Sequence, residues 1–320
     1  MESRKQIEKH LEKVTLGRKE VIQPLWGGYG SLDRYFVEGE AKSIIVKEIK
    51  IPNFEESDHP RGWNTKQSHF RKLHSYEVEW KWYANYAEQA TSNFRMPHCL
   101  LAECEKKPEL LVLEDLDAAG FPERKTSLNL TELKVCLRWL ANFHAHYMGQ
   151  EPEGLWDTGT YWHLATRPDE FEKMENGWLK DQAAEIDQKL SNAKFQTIVH
   201  GDAKVANFCF SVDMKKVAAV DFQYVGGGCG MKDVAYLMSS CLSAEDCERH
   251  ESEILDFYFS ELKQALNQNQ KSVDFSALEQ EWRALYLYAW ADFVRFLEGW
   301  APEHDKLNEY SEGMVERIYC

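Results

Sequence analysis

The densest group of chemically capable side chains lies between residues 198 and 223. Ile198-Val199 leads into His200-Gly201-Asp202-Ala203-Lys204, and Asn207 follows five positions after Asp202. A second apolar stretch, Val217 to Val220, runs into Asp221-Phe222-Gln223. Both polar sets therefore stand at the ends of strand-like segments. Phosphoryl transfer needs such a set: one carboxylate to orient or deprotonate an attacking hydroxyl, and hard oxygen ligands to hold Mg²⁺ against phosphates. Asp202 is read as the base, and Asn207 and Asp221 as the metal ligands. Lys204, two residues past the base, is read as an ammonium within reach of the transferred group. Alone, His-Gly-Asp is a weak signal, since Asp and Asn are ordinary turn residues. The spacing of the whole set makes it specific.

The first third of the chain supplies an independent set. Trp26-Gly27-Gly28-Tyr29-Gly30-Ser31 separates two strand-like stretches. Gly27, Gly28, Gly30 and Ser31 can bring backbone N–H groups close to phosphates, although most glycine-rich hairpins are only turns. Lys47 sits inside the apolar run Ile45-Val46-Lys47-Glu48-Ile49, a place where a lone lysine is ordinarily an edge or solvated residue. Glu79, on the helical segment that follows, is the expected partner that pins Lys47 against the α- and β-phosphates of ATP, with Glu77 in reserve. Glycine loop, strand lysine, helix glutamate, base with Asn and second Asp occur in one order.

The elements that must position these residues are legible from periodicity. Residues 5–14 read as a short helix. Val21–Trp26, Arg34–Val37 and Ser43–Ile49 read as an antiparallel meander. Pro52–Gln67 reads as a loop and His69–Ala90 as a helix with Leu73, Tyr76, Trp80 and Tyr83 on one side. Met96–Leu101 and Leu110–Leu113 are two more strands. Beyond Glu114-Asp115-Leu116 the pattern is mostly helical, including Thr131–Met148 and Glu279–Trp300, with a strand-loop-strand region from Thr197 to Phe222. The expected class is α+β and bilobal, with residues 1–115 as a small nucleotide-binding lobe and 116–320 as a larger catalytic and substrate-binding lobe. Gly226-Gly227-Gly228-Cys229-Gly230 reads as a flexible turn after the metal-binding strand.

Composition narrows the partners. With 43% hydrophobic and 28% charged residues, the chain is of ordinary globular make-up. Its formal charge of −15 disfavours nucleic acid and anionic membrane, and suits a cationic small substrate. No apolar run has bilayer-spanning length, the N-terminal stretch lacks a signal-peptide core, and the cysteines are scattered without a C-x-x-C pair. Cys99, Cys136, Cys209 and Cys241 are expected as buried thiols and the cytosol as the compartment.

With these residues in register, the sequence resembles the kinase-like small-molecule phosphotransferases: aminoglycoside phosphotransferases, choline kinases and ecdysteroid-kinase-like proteins. His200-Gly201-Asp202 with Asn207 resembles their catalytic loop. Asp221-Phe222-Gln223 stands where protein kinases carry D-F-G and is most similar to the ecdysteroid-kinase-like branch. The resemblance implies that the backbone at Glu114 and Leu116, in Leu113-Glu114-Asp115-Leu116, forms a hinge that holds adenine. It also implies that Leu140–Ala145 lies on the helix leading toward the catalytic loop, and that Asp233 braces that loop. No A-P-E segment follows Asp221, which favours a small hydroxyl substrate over a protein. The implied activity is transfer of the γ-phosphoryl of ATP, with Mg²⁺, to a small-molecule alcohol. Two rivals share parts of this set: a kinase-fold binding protein without catalysis, and a metal-dependent phosphoesterase using His200, Asp202 and Asp221. For the acceptor, Trp282, Tyr286, Trp290, Asp292, Arg295 and Trp300 are either a cation-binding face or core residues at helix spacing. Trp156, Trp162 and Trp178 pose the same alternative.

Overall fold

The computed structural model of the protein describes residues 2–12, 14–40, 42–51, 65–104 and 109–319. Its first region is a 5-stranded antiparallel sheet, β1 (Leu16–Pro24), β2 (Gly30–Val37), β3 (Ser43–Ile49), β4 (Cys99–Glu103) and β5 (Glu109–Glu114), in the order β1-β2-β3-β5-β4. β3 is therefore the central strand. Its alternation sorts the two faces. Ile44 and Val46 pack with Ile7 of helix α1 (Glu2–His10), while Ile45 and Ile49 belong to the main core on the other side. Lys47 shares that second face, opposite Leu32 on β2 and Leu111 on β5.

Helix α2 (Lys66–Asn85) covers the second face. It starts at Thr65, whose side chain caps the Ser68 N–H at 3.1 Å, and it buries Ser75, Tyr76, Val78, Glu79, Trp80, Trp82 and Tyr83. The loop expected over Pro52–Gln67 lies outside the described residues from 52 to 64, and Lys66 and Gln67 already belong to α2. The first helix and first strand both begin earlier than their patterns suggest, because β1 pairs with β2 from Leu16↔Val37 onward.

The second region is helical: α3 (Leu130–His146), the short α4 (Pro168–Lys173), α5 (Trp178–Asp181) and α6 (Ala183–Ser191), then α7 (Met231–Cys241), α8 (Ala244–Gln268), α9 (Phe275–Trp300) and α10 (Glu309–Tyr319). Between α6 and α7 lie four short strands, β6 (Thr197–Val199), β7 (Phe208–Phe210), β8 (Val217–Ala219) and β9 (Gly226–Gly228). β7 and β8 form one antiparallel pair, β6 and β9 another. The last pairing corrects the expectation of a flexible turn at 226–230. Gly226–Gly228 is strand, and at Gly226 and Gly227 a side chain has no room because the Trp156 and Asp157 carbonyls lie against them.

The aromatic stripe of α9 belongs to the core. Trp282, Tyr286 and Trp290 are at most 2% exposed, and the indole N–H groups of Trp282 and Trp290 donate to the Phe195 carbonyl and to Ser311 Oγ. Asp292 Oδ1 accepts from Arg295 at 2.8 Å and both residues are buried, while Asp292 Oδ2 has no hydrogen-bond partner among the described residues. Trp162 is likewise fully buried, and Trp178 is packed against the core.

Candidate active site

The catalytic-loop sequence enters from β6 and is held from beneath. Asp233, at the start of α7, accepts the backbone N–H of His200 at 2.6 Å and of Gly201 at 2.9 Å, and meets His144 Nε2 of α3 at 3.0 Å. Burial works against its charge, but these partners outweigh it and hold its pKa below the usual carboxylate value. His200 is fully buried. Its Nε2 donates to the Val220 carbonyl at 3.1 Å and its Nδ1 accepts the Asp202 N–H at 3.2 Å. Burial lowers its pKa, so it serves as a neutral spacer between β6 and the end of β8. Gly201 must be glycine: φ is 76°, and a Cβ would lie 1.9 Å from the Tyr224 carbonyl oxygen.

This frame leaves Asp202 with two unlike oxygens. Oδ2 accepts from Lys204 Nζ at 2.8 Å and from Asn207 Nδ2 at 3.0 Å. Oδ1 is buried and makes no hydrogen bond of ordinary geometry, although the Tyr236 hydroxyl lies close enough to interact with the Asp202 carboxylate. A buried carboxylate oxygen left unsatisfied costs about 1–3 kcal/mol, and such atoms recur at sites built to receive a donor. Asn207 gives its amide nitrogen to Asp202 twice, to the carbonyl at 2.8 Å and to Oδ2, which leaves its own Oδ1 as an acceptor. Asp221 follows β8 at φ 68°, an unfavourable backbone region for a residue with a side chain. The two carboxylates are pushed apart. Burial raises Asp202 above the usual range; it also opposes ionisation of Asp221, but Lys47, Lys204 and Lys72 together pull that group below it. Paired acids with diverging pKa values mark a division of labour.

From the other side, Lys47 Nζ meets Glu79 Oε2 at 2.5 Å, with both residues buried. Glu77 is exposed and pairs with His74. Burial raises the Glu79 pKa against the pull of Lys47. Phe222, between Asp221 and Gln223, stacks on Trp82 of α2 at 4.8 Å and lies 4.7 Å from the His200 ring, which fastens α2 to the catalytic loop. The glycine loop is a short 3-10 turn at Trp26–Gly28, with Gly27 and Gly28 at φ 75° and 79°. It is moored by Tyr29, whose hydroxyl meets His69 Nδ1 of α2 at 2.5 Å.

Not every expected residue faces this cluster. The Ser31 side chain pairs across the sheet with Glu48, on the face opposite Lys47, and donates to Asp33 at 2.8 Å. Glu114 turns its carboxylate to Arg95 and to the His98 N–H, and the Leu116 side chain packs against Cys209 and Ala218. Only their backbone can serve a ligand.

Residues 45–153 and 157–271 match the ecdysteroid kinase-like family. The chain belongs to that family. No curated protein matches it in sequence. Among solved structures, a microcompartment-associated aminopropanol kinase is similar over 98% of this chain and 96% of its own, with TM-score 0.56 and 15% identity. Amicoumacin kinase hAmiN, in complex with AMP-PNP, Ca²⁺ and Ami, is similar over 94% of this chain and 86% of its own, with TM-score 0.53 and 14% identity. At such identities the likeness is one of fold, the kinase-like α+β fold expected above.

Within this ecdysteroid kinase-like chain, sequence reasoning missed Lys72, Ser75 and the side chain of Gln223. Lys72 Nζ donates to Gln223 Oε1 at 3.0 Å and lies 4.7 Å from the Tyr76 ring centroid. Burial lowers its pKa to about 8, with Lys47 adding to the shift. A signal was present: Lys72, Ser75, Tyr76 and Glu79 fall at i, i+3, i+4 and i+7, one face of one helix.

Proposed function

We propose that the protein transfers the γ-phosphoryl group of ATP to a hydroxyl of a small molecule, with Mg²⁺ as the metal. Residues 1–115 act as the nucleotide-binding lobe and 116–320 as the catalytic and substrate-binding lobe. The observation that carries this reading is the buried Oδ1 of Asp202, without a hydrogen bond of ordinary geometry and set beside an Asp221 carboxylate that lysines keep ionised. Asp202 Oδ1 accepts the hydrogen bond of the acceptor hydroxyl and takes its proton as that oxygen bonds to phosphorus. Lys204 and Asn207 hold the other oxygen of Asp202 and so fix the plane of its carboxyl group.

The residues present suit a hard cation. Asn207 Oδ1 and the Asp221 carboxylate are oxygen donors, the set Mg²⁺ prefers, and the cation when bound neutralises phosphate charge. Lys47, positioned by Glu79, would meet phosphates together with the backbone of Gly27, Gly28, Gly30 and Ser31. The backbone at Glu114 and Leu116 would receive the adenine. The metal-dependent phosphoesterase alternative is disfavoured by His200, whose two ring nitrogens are both engaged with backbone. It also leaves the Lys47–Glu79 pair without a role. The similarity in fold to an aminopropanol kinase and an amicoumacin kinase supports a small acceptor without selecting one.

The test is a screen for ADP release with a panel of small alcohols, run beside thermal unfolding with and without Mg·ATP. Asp202→Asn should lower kcat by about 10²- to 10⁴-fold and keep the Mg·ATP-induced rise in Tm. A wild type whose Tm ignores millimolar Mg·ATP, or an Asp202→Asn protein with full turnover, would sink the reading.

A further inference from the structure

Gln223 occupies the position after Phe222 and is 6% exposed, yet every polar atom of its side chain is engaged with a residue of the candidate site or of α2. Its Nε2 donates to Asp221 Oδ1 at 2.9 Å. Its Oε1 accepts from Lys72 Nζ at 3.0 Å and from Ser75 Oγ at 3.1 Å, both on α2. Its backbone carbonyl accepts the Trp156 indole N–H at 2.8 Å, so its own main chain is fixed to the second region. The amide is thus a bridge with one end on the Asp221 carboxylate and the other on the helix that carries Glu79.

An amide suits this place because it presents a donor and an acceptor at opposite corners of one rigid plane. A glutamate there would set a second negative charge against Asp221, and an apolar residue would leave Ser75 Oγ and Asp221 Oδ1 without these partners. The bond to Oδ1 also leaves Asp221 Oδ2 outside the bridge, so the amide selects which carboxylate oxygen is presented. Groups that hold a ligating side chain in this way commonly govern metal affinity.

We propose that Gln223 is a positioning residue that sets the Asp221 carboxylate and ties it to α2, so that divalent-metal affinity depends on the seating of that helix. The inference rests on the nucleotide-site reading above. One helix then controls both Lys47, through Glu79, and Asp221, through Gln223.

The test is a Mg²⁺ titration of the thermal shift produced by AMP-PNP, with the shift given by AMP-PNP in EDTA as the reference. Gln223→Met, of similar length, should raise the Mg²⁺ concentration at half-maximal shift about tenfold and leave the EDTA value unchanged. Ser75→Ala, which touches neither Asp221 nor Lys47, should move the midpoint the same way by about two- to threefold, as expected for loss of one hydrogen bond of the bridge. A lowered Tm without any change of Mg²⁺ midpoint would show Gln223 to be a packing residue and overturn the proposal. If Gln223→Met does not fold, an unchanged midpoint in a protein carrying both Lys72→Met and Ser75→Ala, which removes both α2 partners of the amide, overturns the tie to α2 by itself. A wild type without any Mg²⁺-dependent shift fails the nucleotide reading and takes this inference with it; a responsive wild type with unresponsive variants fails this inference alone.

Discussion

Two glycine-rich runs in this chain have nearly the same composition and different physical uses. In Gly27-Gly28-Tyr29-Gly30 all the glycines have positive φ; a Cβ on Gly28 would meet nothing within 4 Å, although one on Gly30, where the turn enters β2, would lie 1.9 Å from the Glu48 carbonyl oxygen. In Gly226-Gly227-Gly228 none has positive φ, and the chain is extended strand. There a Cβ on Gly226 would lie 2.2 Å from the Trp156 carbonyl oxygen, and one on Gly227 2.6 Å from that of Asp157. At Gly27 and Gly28 the first run needs dihedral freedom at an open turn, and at Gly30 it needs the space as well. The second needs the absence of a side chain where two backbones touch. The difference decides what each run tolerates: strain can be absorbed at an open turn, whereas backbone against backbone cannot be relieved by a rotamer change.

The comparison breaks most easily at Gly226. Gly226→Ala should destabilise the protein by about 3 kcal/mol, the upper end of overpacking costs, read from denaturant unfolding. A loss below about 1 kcal/mol would mean that the contact at Trp156 yields and that the second run is no tighter than the first. A smaller effect is expected at the brace beyond that run. Asp233→Asn should lose about 2 kcal/mol at neutral pH, since it weakens charge-assisted bonds to His200, Gly201 and His144. Because the folded-state pKa of Asp233 is depressed, its contribution is complete above the unfolded value near ~3.9 and is lost as pH falls through the folded value. The stability gap between wild type and variant should therefore close on acidification below about pH 4. The smallest stability effect belongs to the first run. Gly28→Ala should cost about 1 kcal/mol for a side chain at positive φ and leave the unfolding slope unchanged. It should weaken Mg·ATP binding by more than its stability loss would suggest, which isothermal titration separates from the fold effect.

What could be read in advance follows the same division. The order of glycine loop, Lys47, Glu79, Asp202, Asn207 and Asp221 was legible because each residue type is unusual in its local pattern. A lysine inside Ile45–Ile49 and carboxylates at the ends of apolar strands conflict with simple burial, and such conflicts collect at functional sites. The choice of Glu79 over Glu77 was also within reach, since Glu79 shares a face with Tyr76 and Tyr83. The second glycine run was misread because its reason lies some 70 residues away, at Trp156–Asp157, and no local pattern records a tertiary contact. Ser31 was placed among phosphate-facing residues by its nearness to the glycines, but strand alternation puts its hydroxyl on the far face with Asp33. Lys72, on a helix face, and Gln223, in the turn after β8, read as solvated polar residues until their partners are known. The helix α9 aromatics show the converse: a tempting binding stripe whose polar atoms are satisfied in the core.

Where the chain leaves the sheet, the Asp115 carboxylate takes hydrogen bonds from Arg34 at 2.5 Å and 3.1 Å, from Ser43 at 2.5 Å, and from the backbone of Asp117 at 3.1 Å. Further on, Glu123 and Phe210 exchange backbone hydrogen bonds at 3.1 Å and 2.9 Å. The crossing is therefore clamped at both ends. The span between is itself a braced turn: the N–H groups of Ala119, Gly120 and Phe121 donate to the carbonyls of Asp115, Asp117 and Leu116, with Gly120 at φ 96°. In mechanical terms the junction is a short braced corner rather than a slack tether, so the sheet enters the helical region at an angle set by bonded groups.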